Sequence, residues 1–107
     1  MFDFLKKLPP CPPLPSGTVR RHYRVWGRVQ NVGFRYTAMW AAQELGLTGW
    51  VVNLDDGSVE MEVQGLPETI DSLFPAIEKN PHIRIDNVES RELPPDPRSR
   101  RFCVLGG

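Results

Sequence analysis

The chain is 107 residues long, enough for one domain with one core. Its 13 Lys and Arg balance 13 Asp and Glu, so no electrostatic footprint argues for nucleic acid or an anionic membrane as a partner. No apolar run is long enough to cross a bilayer, and prolines follow Lys6 and Lys7 where a signal peptide would need its apolar stretch, so the expected compartment is the cytoplasm.

Residues 1–18 stand apart from the rest. Pro9, Pro10, Pro12, Pro13 and Pro15 lead into Ser16-Gly17, a run that can form neither helix nor interior strand. It reads as a flexible Pro-rich leader of polyproline II character ahead of a folded domain at 19–107. Its Pro-x-x-Pro spacings could dock weakly on a partner, although an untethered tail is the plainer reading. Phe2, Leu5 and Leu8 could instead pack on the domain as one helical turn.

Residues 20–29 alternate, with Tyr23, Val25, Gly27 and Val29 on one face and Arg24, Trp26 and Arg28 on the other. That is the pattern of a half-buried strand. Over 34–45 the period changes, and Phe34, Ala38, Ala41, Ala42 and Leu45 form one helical stripe. Gly46 and Leu47 suit the end of that helix. Gly49 to Leu54 is a second strand, and Asp55-Asp56-Gly57 signals a hairpin. Residues 58–64 then alternate, with Val59, Met61 and Val63 inward and Glu60, Glu62 and Gln64 outward. Pro67 opens a second helix with Ile70, Leu73, Phe74 and Ile77 as its apolar stripe, and Asn80-Pro81 ends it. Ile83 to Leu93 is strand-like, but Ile83, Ile85 and Val88 fall out of phase, which points to a bulge. After Pro94, Pro95 and Pro97, residues 101–105 offer a short last strand with Phe102 and Val104 on one face. Trp26, Trp40 and Trp50 read as packing residues.

The order is β-α-β-β-α-β plus a short C-terminal strand. This is an α+β protein, a ferredoxin-like split βαβ sandwich with two helices on one face of an antiparallel sheet. The first two strands run parallel with the third between them, so their C-terminal ends share one edge. That topology brings Asn53, at the second of these ends, toward the turn that leaves the first.

The turn is Gly27-Arg28-Val29-Gln30-Asn31-Val32-Gly33-Phe34-Arg35. A glycine-bracketed turn at a helix start aims main-chain N–H groups at one point, and Arg35 adds a full positive charge. Arg35 and the loop amides can satisfy the oxygens of a phosphoryl group, and the Asn53 amide can orient water beside it. Cys11, Cys103, His22 and His82 are scattered without metal-ligand spacing, so no metal is expected and the thiols are expected to be free. No nucleophilic Ser/His or Cys/His pair accompanies the turn. That limits the substrate to one with a good leaving group, and an acyl phosphate qualifies.

Val29-Gln30-Asn31-Val32-Gly33-Phe34-Arg35 resembles the Val-Gln-Gly-Val-x-Phe-Arg signature of acylphosphatases. Leu45-Gly46-Leu47-x-Gly49-Trp50-Val51-x-Asn53, followed by Asp56-Gly57-x-Val59-Glu60, is similar to that family's second block. The resemblance covers about residues 20–105. It implies cofactor-free hydrolysis of carboxyl-phosphate bonds in small acyl phosphates. It places the phosphate-binding arginine on Arg35 and the water-positioning asparagine on Asn53. Gly27, Gln30, Asn31, Val32, Gly33 and Phe34 correspond to the phosphate loop. Asn31 stands where the family usually has glycine. Asn tolerates positive φ better than other residues with a side chain, so the loop can keep its shape. The expected protein is a monomeric enzyme. The alternative is a phosphate- or carboxylate-binding module of the same fold without turnover.

Overall fold

The computed structural model describes residues 13–106. Its elements are β1 (Val19–Arg28), α1 (Phe34–Glu44), β2 (Thr48–Asn53), β3 (Val59–Gly65), α2 (Pro67–Asp71), α3 (Leu73–Ile77), β4 (Arg84–Leu93) and β5 (Phe102–Leu105). The five strands lie in the order β4-β1-β3-β2-β5. Strand β3 runs antiparallel to both β1 and β2, so those two are parallel and the split βαβ arrangement holds. Strand β5 pairs parallel to β2, which makes the sheet mixed where a purely antiparallel one was expected. Alternation has the same period in both kinds of sheet, so the pattern of β5 carries no directional information.

Strands β1 and β3 are legible because their alternation is paid out on opposite faces. Tyr23 and Val25 of β1 and Val59, Met61 and Val63 of β3 are buried against the helices. On the other face Arg20 pairs with Glu62 at 3.2 Å and His22 with Glu60 at 3.0 Å, each across neighbouring strands. Helix α1 buries Phe34, Ala38, Ala41 and Ala42, the stripe read from the sequence. It ends in a Schellman motif. Leu47 N–H donates to the Ala42 carbonyl at 2.8 Å, Gly46 N–H donates to the Gln43 carbonyl at 3.1 Å, and the Leu47 side chain is buried.

Three further features depart from the expected plan. The second helix is two short ones, α2 and α3, broken at Ser72. Pro75 explains the break: in a continuous helix its ring would meet the Asp71 carbonyl, but it is tolerated in the first turn of a new helix. Gln64 is buried instead of facing solvent with Glu60 and Glu62. Its side chain donates to the Asp96 carbonyl at 2.8 Å and accepts the Asp96 N–H at 2.7 Å, strapping the connection before β5 onto the sheet. Trp40, expected to pack, is 62% exposed.

The bulge is present. Trp26 pairs with Asn87 and Gly27 with Ile85, so Asp86 is the extra residue of β4. Gly27 has φ 137°, and a Cβ there would collide with the Arg84 carbonyl and the Asp86 nitrogen. Close approach of β4 is therefore what position 27 requires. Among the described residues, no helix is long and apolar enough to cross a membrane.

Candidate active site

The segment between β1 and α1 turns through two left-handed residues, Asn31 at φ 63° and Gly33 at φ 81°. Asn31 is the one non-glycine residue with positive φ among those described, so it adopts the conformation glycine would supply. The N–H groups of Asn31, Val32, Gly33 and Phe34 donate to no backbone carbonyl of the described residues. Gly33 is the N-cap of α1 and makes no side-chain cap, which leaves the helix start open to an anion. Such alternating turns make concave anion sites.

Two amides hold this loop from outside. Gln30 Nε2 donates to the carbonyls of Leu54 and Ser58 at 2.7 and 2.8 Å, tying the loop to the β2–β3 hairpin. Asn80 Nδ2 donates to Thr37 Oγ1 at 3.2 Å and to the Val32 carbonyl at 3.4 Å, tying it to the chain after α3. The hairpin is itself cross-braced. The Asp56 carboxylate accepts the Ser58 hydroxyl and N–H, with Arg24 beside it, and these partners pull its pKa down to about 2.

A cavity of about 200 Å³ opens on the loop, lined by Val29, Asn31, Gly33, Phe34, Arg35, Tyr36 and Asn53. Two residues separated by a whole strand and helix thus meet, as the parallel pair β1 and β2 requires. Arg35 Nη1 donates to the Leu105 carbonyl at 2.8 Å, so the end of β5 steadies the guanidinium. Asn53 Oδ1 is buried and has no hydrogen-bond partner among the described residues. A buried acceptor left unsatisfied is costly, and such groups mark sites where a water or ligand completes the bonding.

The fold does not bring every loop residue to the cavity. Gly27 sits at the β4 bulge, the Gln30 side chain is spent on the hairpin, and Val32 packs against the core. Three contributors were not singled out from the sequence. Tyr36 lines the cavity, Asn80 braces the loop, and the Leu105 carbonyl holds Arg35. Tyr36 was findable, since it lies beside Arg35 and off the apolar stripe. Nothing in the sequence marks the other two.

Other hollows lack this chemistry. One of about 310 Å³ is walled largely by Leu14, Leu45, Leu47 and Leu66 and contains no charged side chain. One of about 510 Å³ on the outer sheet face is bordered by both cations and carboxylates, including the paired His22 and Glu60. No group of three or more His, Cys, Asp or Glu able to hold a metal occurs among the described residues.

A sequence model of the acylphosphatase family matches residues 21–104. The chain is 41% identical over 87 residues to an acylphosphatase of Koribacter versatilis, covering 80% of this chain and 79% of that one. It is 42% identical over 79 residues to an acylphosphatase of Thermococcus kodakarensis, covering 73% and 87%. The crystal structure of acylphosphatase from Bacillus subtilis superposes with a TM-score of 0.75 at 31% identity, covering 82% of this chain and 99% of that one. With the family's pattern spanning most of the chain and its fold covering 82% of it, the protein belongs to the acylphosphatase family.

Proposed function

We propose that the cavity hydrolyses acyl phosphates with Arg35 and the loop N–H groups holding the phosphoryl oxygens and Asn53 orienting the attacking water. Acylphosphatase activity comes with the family; the assignment of roles to these residues is our reading of the cavity. Water attacks phosphorus, the bond from phosphorus to the carboxylate oxygen breaks, and the products are a carboxylate and inorganic phosphate. The leaving carboxylate needs little protonation at neutral pH, so no enzyme acid is required. Charge-assisted hydrogen bonds such as those from Arg35 contribute roughly 1.5–3 kcal/mol each. The observation that carries the reading is the unsatisfied Asn53 Oδ1 in the same cavity as Arg35 and the open helix start.

The test separates binding from chemistry on folded variants assayed in excess EDTA. Arg35→Ala should lose both turnover of benzoyl phosphate and inhibition by inorganic phosphate. Asn53→Ala should lose about a hundredfold or more in kcat while phosphate inhibition stays close to wild type. Loss of phosphate inhibition in Asn53→Ala would move that residue into the cradle, and activity abolished by EDTA would contradict the mechanism.

A further inference from the structure

The cavity has one exposed aromatic lining side chain, and phosphate binding leaves it without a task. Tyr36 lines it and is 52% exposed. Trp40 follows one helical turn later and is 62% exposed, with its ring centroid 6.3 Å from that of Tyr36 and the planes tilted by 44°. No other large hydrophobic side chain among the described residues is as exposed as these two. Side chains on a helix lean toward its N-terminus, so the Trp40 indole leans toward Tyr36 and the cradle. Both rings are more than half exposed, so neither is a core residue.

The chemistry says what such a pair can meet. This step rests on the reading that the phosphoryl group sits in the loop cradle with Asn53 behind the water. In-line displacement then sends the carboxylate out on the side opposite the water. The acyl substituent must leave the cavity past its rim. Val29 and Phe34 are buried, Gly33 has no side chain, Asn31 offers only a short polar amide, and Arg35 and Asn53 face the phosphate and the water. The exposed aromatic side chain in the lining is Tyr36, with Trp40 extending its surface. Two rings are far too small for a stable protein interface but match one planar group.

We propose that Tyr36 and Trp40 form an aromatic shelf for the acyl substituent, so that the site favours acyl phosphates carrying an aromatic or similarly flat apolar group over acetyl phosphate. The contact is made by the faces and edges of the rings, so the Tyr36 hydroxyl is not needed.

The experiment compares kcat/KM for benzoyl phosphate and acetyl phosphate in wild type, Tyr36→Ala, Tyr36→Phe and Trp40→Ala, with inorganic phosphate inhibition measured on each. The benzoyl-to-acetyl ratio should fall about tenfold in Tyr36→Ala and about threefold in Trp40→Ala, and should hold in Tyr36→Phe. Phosphate inhibition should stay within about twofold, because the shelf lies outside the cradle. Benzylphosphonate should inhibit wild type more tightly than methylphosphonate and lose that advantage in the alanine variants, which reads the shelf without turnover. An unchanged ratio in both alanine variants overturns the shelf alone. Weakened phosphate inhibition with equal loss on both substrates also overturns it, since Tyr36 would then belong to the cradle. Wild type that turns over neither substrate overturns the parent reading and the shelf with it.

Discussion

Asn31 carries the one left-handed φ that glycine does not supply among the described residues. For a residue with a side chain that conformation costs up to roughly 1–2 kcal/mol, least for Asn because its short amide can bond locally. The loop therefore keeps its geometry at a modest conformational cost. Asn31→Gly should retain activity, with kcat/KM within about threefold and phosphate inhibition equal or slightly tighter, while stability shifts by no more than about 1 kcal/mol because glycine also loosens the unfolded chain. Side-by-side kinetics and denaturant melts decide it. Destroyed activity would make the Asn31 side chain itself a phosphate ligand. That Arg35 and Asn53 share one cavity was legible, because the parallel strands β1 and β2 end on the same edge of the sheet. Arginine is badly placed against a helix start, and Asn53 ends a strand facing the same edge. Gln30 was not legible in its actual job. A glutamine in a turn gives no sign that its amide will reach across to two hairpin carbonyls.

The β2–β3 hairpin is the element that sets the loop, through Asp56, Ser58 and then Gln30. Its weak point is acid. An unfolded Asp titrates near about 3.9, whereas Asp56 is held at about 2 by the Ser58 hydroxyl first, then the Ser58 N–H and Arg24. The folded chain therefore binds fewer protons at this site than the unfolded one. The resulting stabilisation is present above about pH 4 and is lost as pH falls toward 2. Asp56 is exposed, so the effect is small. Asp56→Asn should be less stable than wild type at pH 7, and the gap should close between about pH 4 and 2 in denaturant melts. A gap that stayed constant across that range would show that the carboxylate charge is irrelevant. Other elements divide by how local their causes are. The alternation of β1 and β3 and the stripe of α1 express burial directly. The α2–α3 break needed Pro75 to be weighed against the apolar spacing of Leu73 and Ile77, and the spacing alone hid it. The burial of Gln64 depends on a carbonyl 32 positions away, which no local pattern encodes.

At the scale of the molecule, α1 runs between two hollows. Its N-terminus faces the cavity of Arg35 and Asn53, and its C-terminal end, about 16 Å away by helical rise, faces the hollow of Leu45, Leu47 and Leu66. Leu14, Pro15 and Thr18 line that hollow too. The Pro15 carbonyl accepts both the N–H and the hydroxyl of Thr18, at 3.1 and 2.7 Å. The segment from Leu14 to Thr18 thus lies against that hollow, while Phe2, Leu5 and Leu8 lie outside the described residues. Proline density marked the leader in the sequence, but it could not show that Leu14 is half-buried against a helix end. Half-burying a leucine is worth about 1 kcal/mol, which in a domain this size moves Tm by roughly 4–8 °C. Two truncations separate this contact from whatever precedes it, one removing residues 1–12 and one removing residues 1–17. The longer truncation should melt about 4–8 °C below the shorter one. Both should keep wild-type kcat and KM, because the lost contact sits at the far end of α1 from Arg35 and Asn53. Equal melting temperatures would show that Leu14 and Pro15 add nothing to the domain. A raised KM in the longer truncation alone would show that the two ends of α1 are coupled.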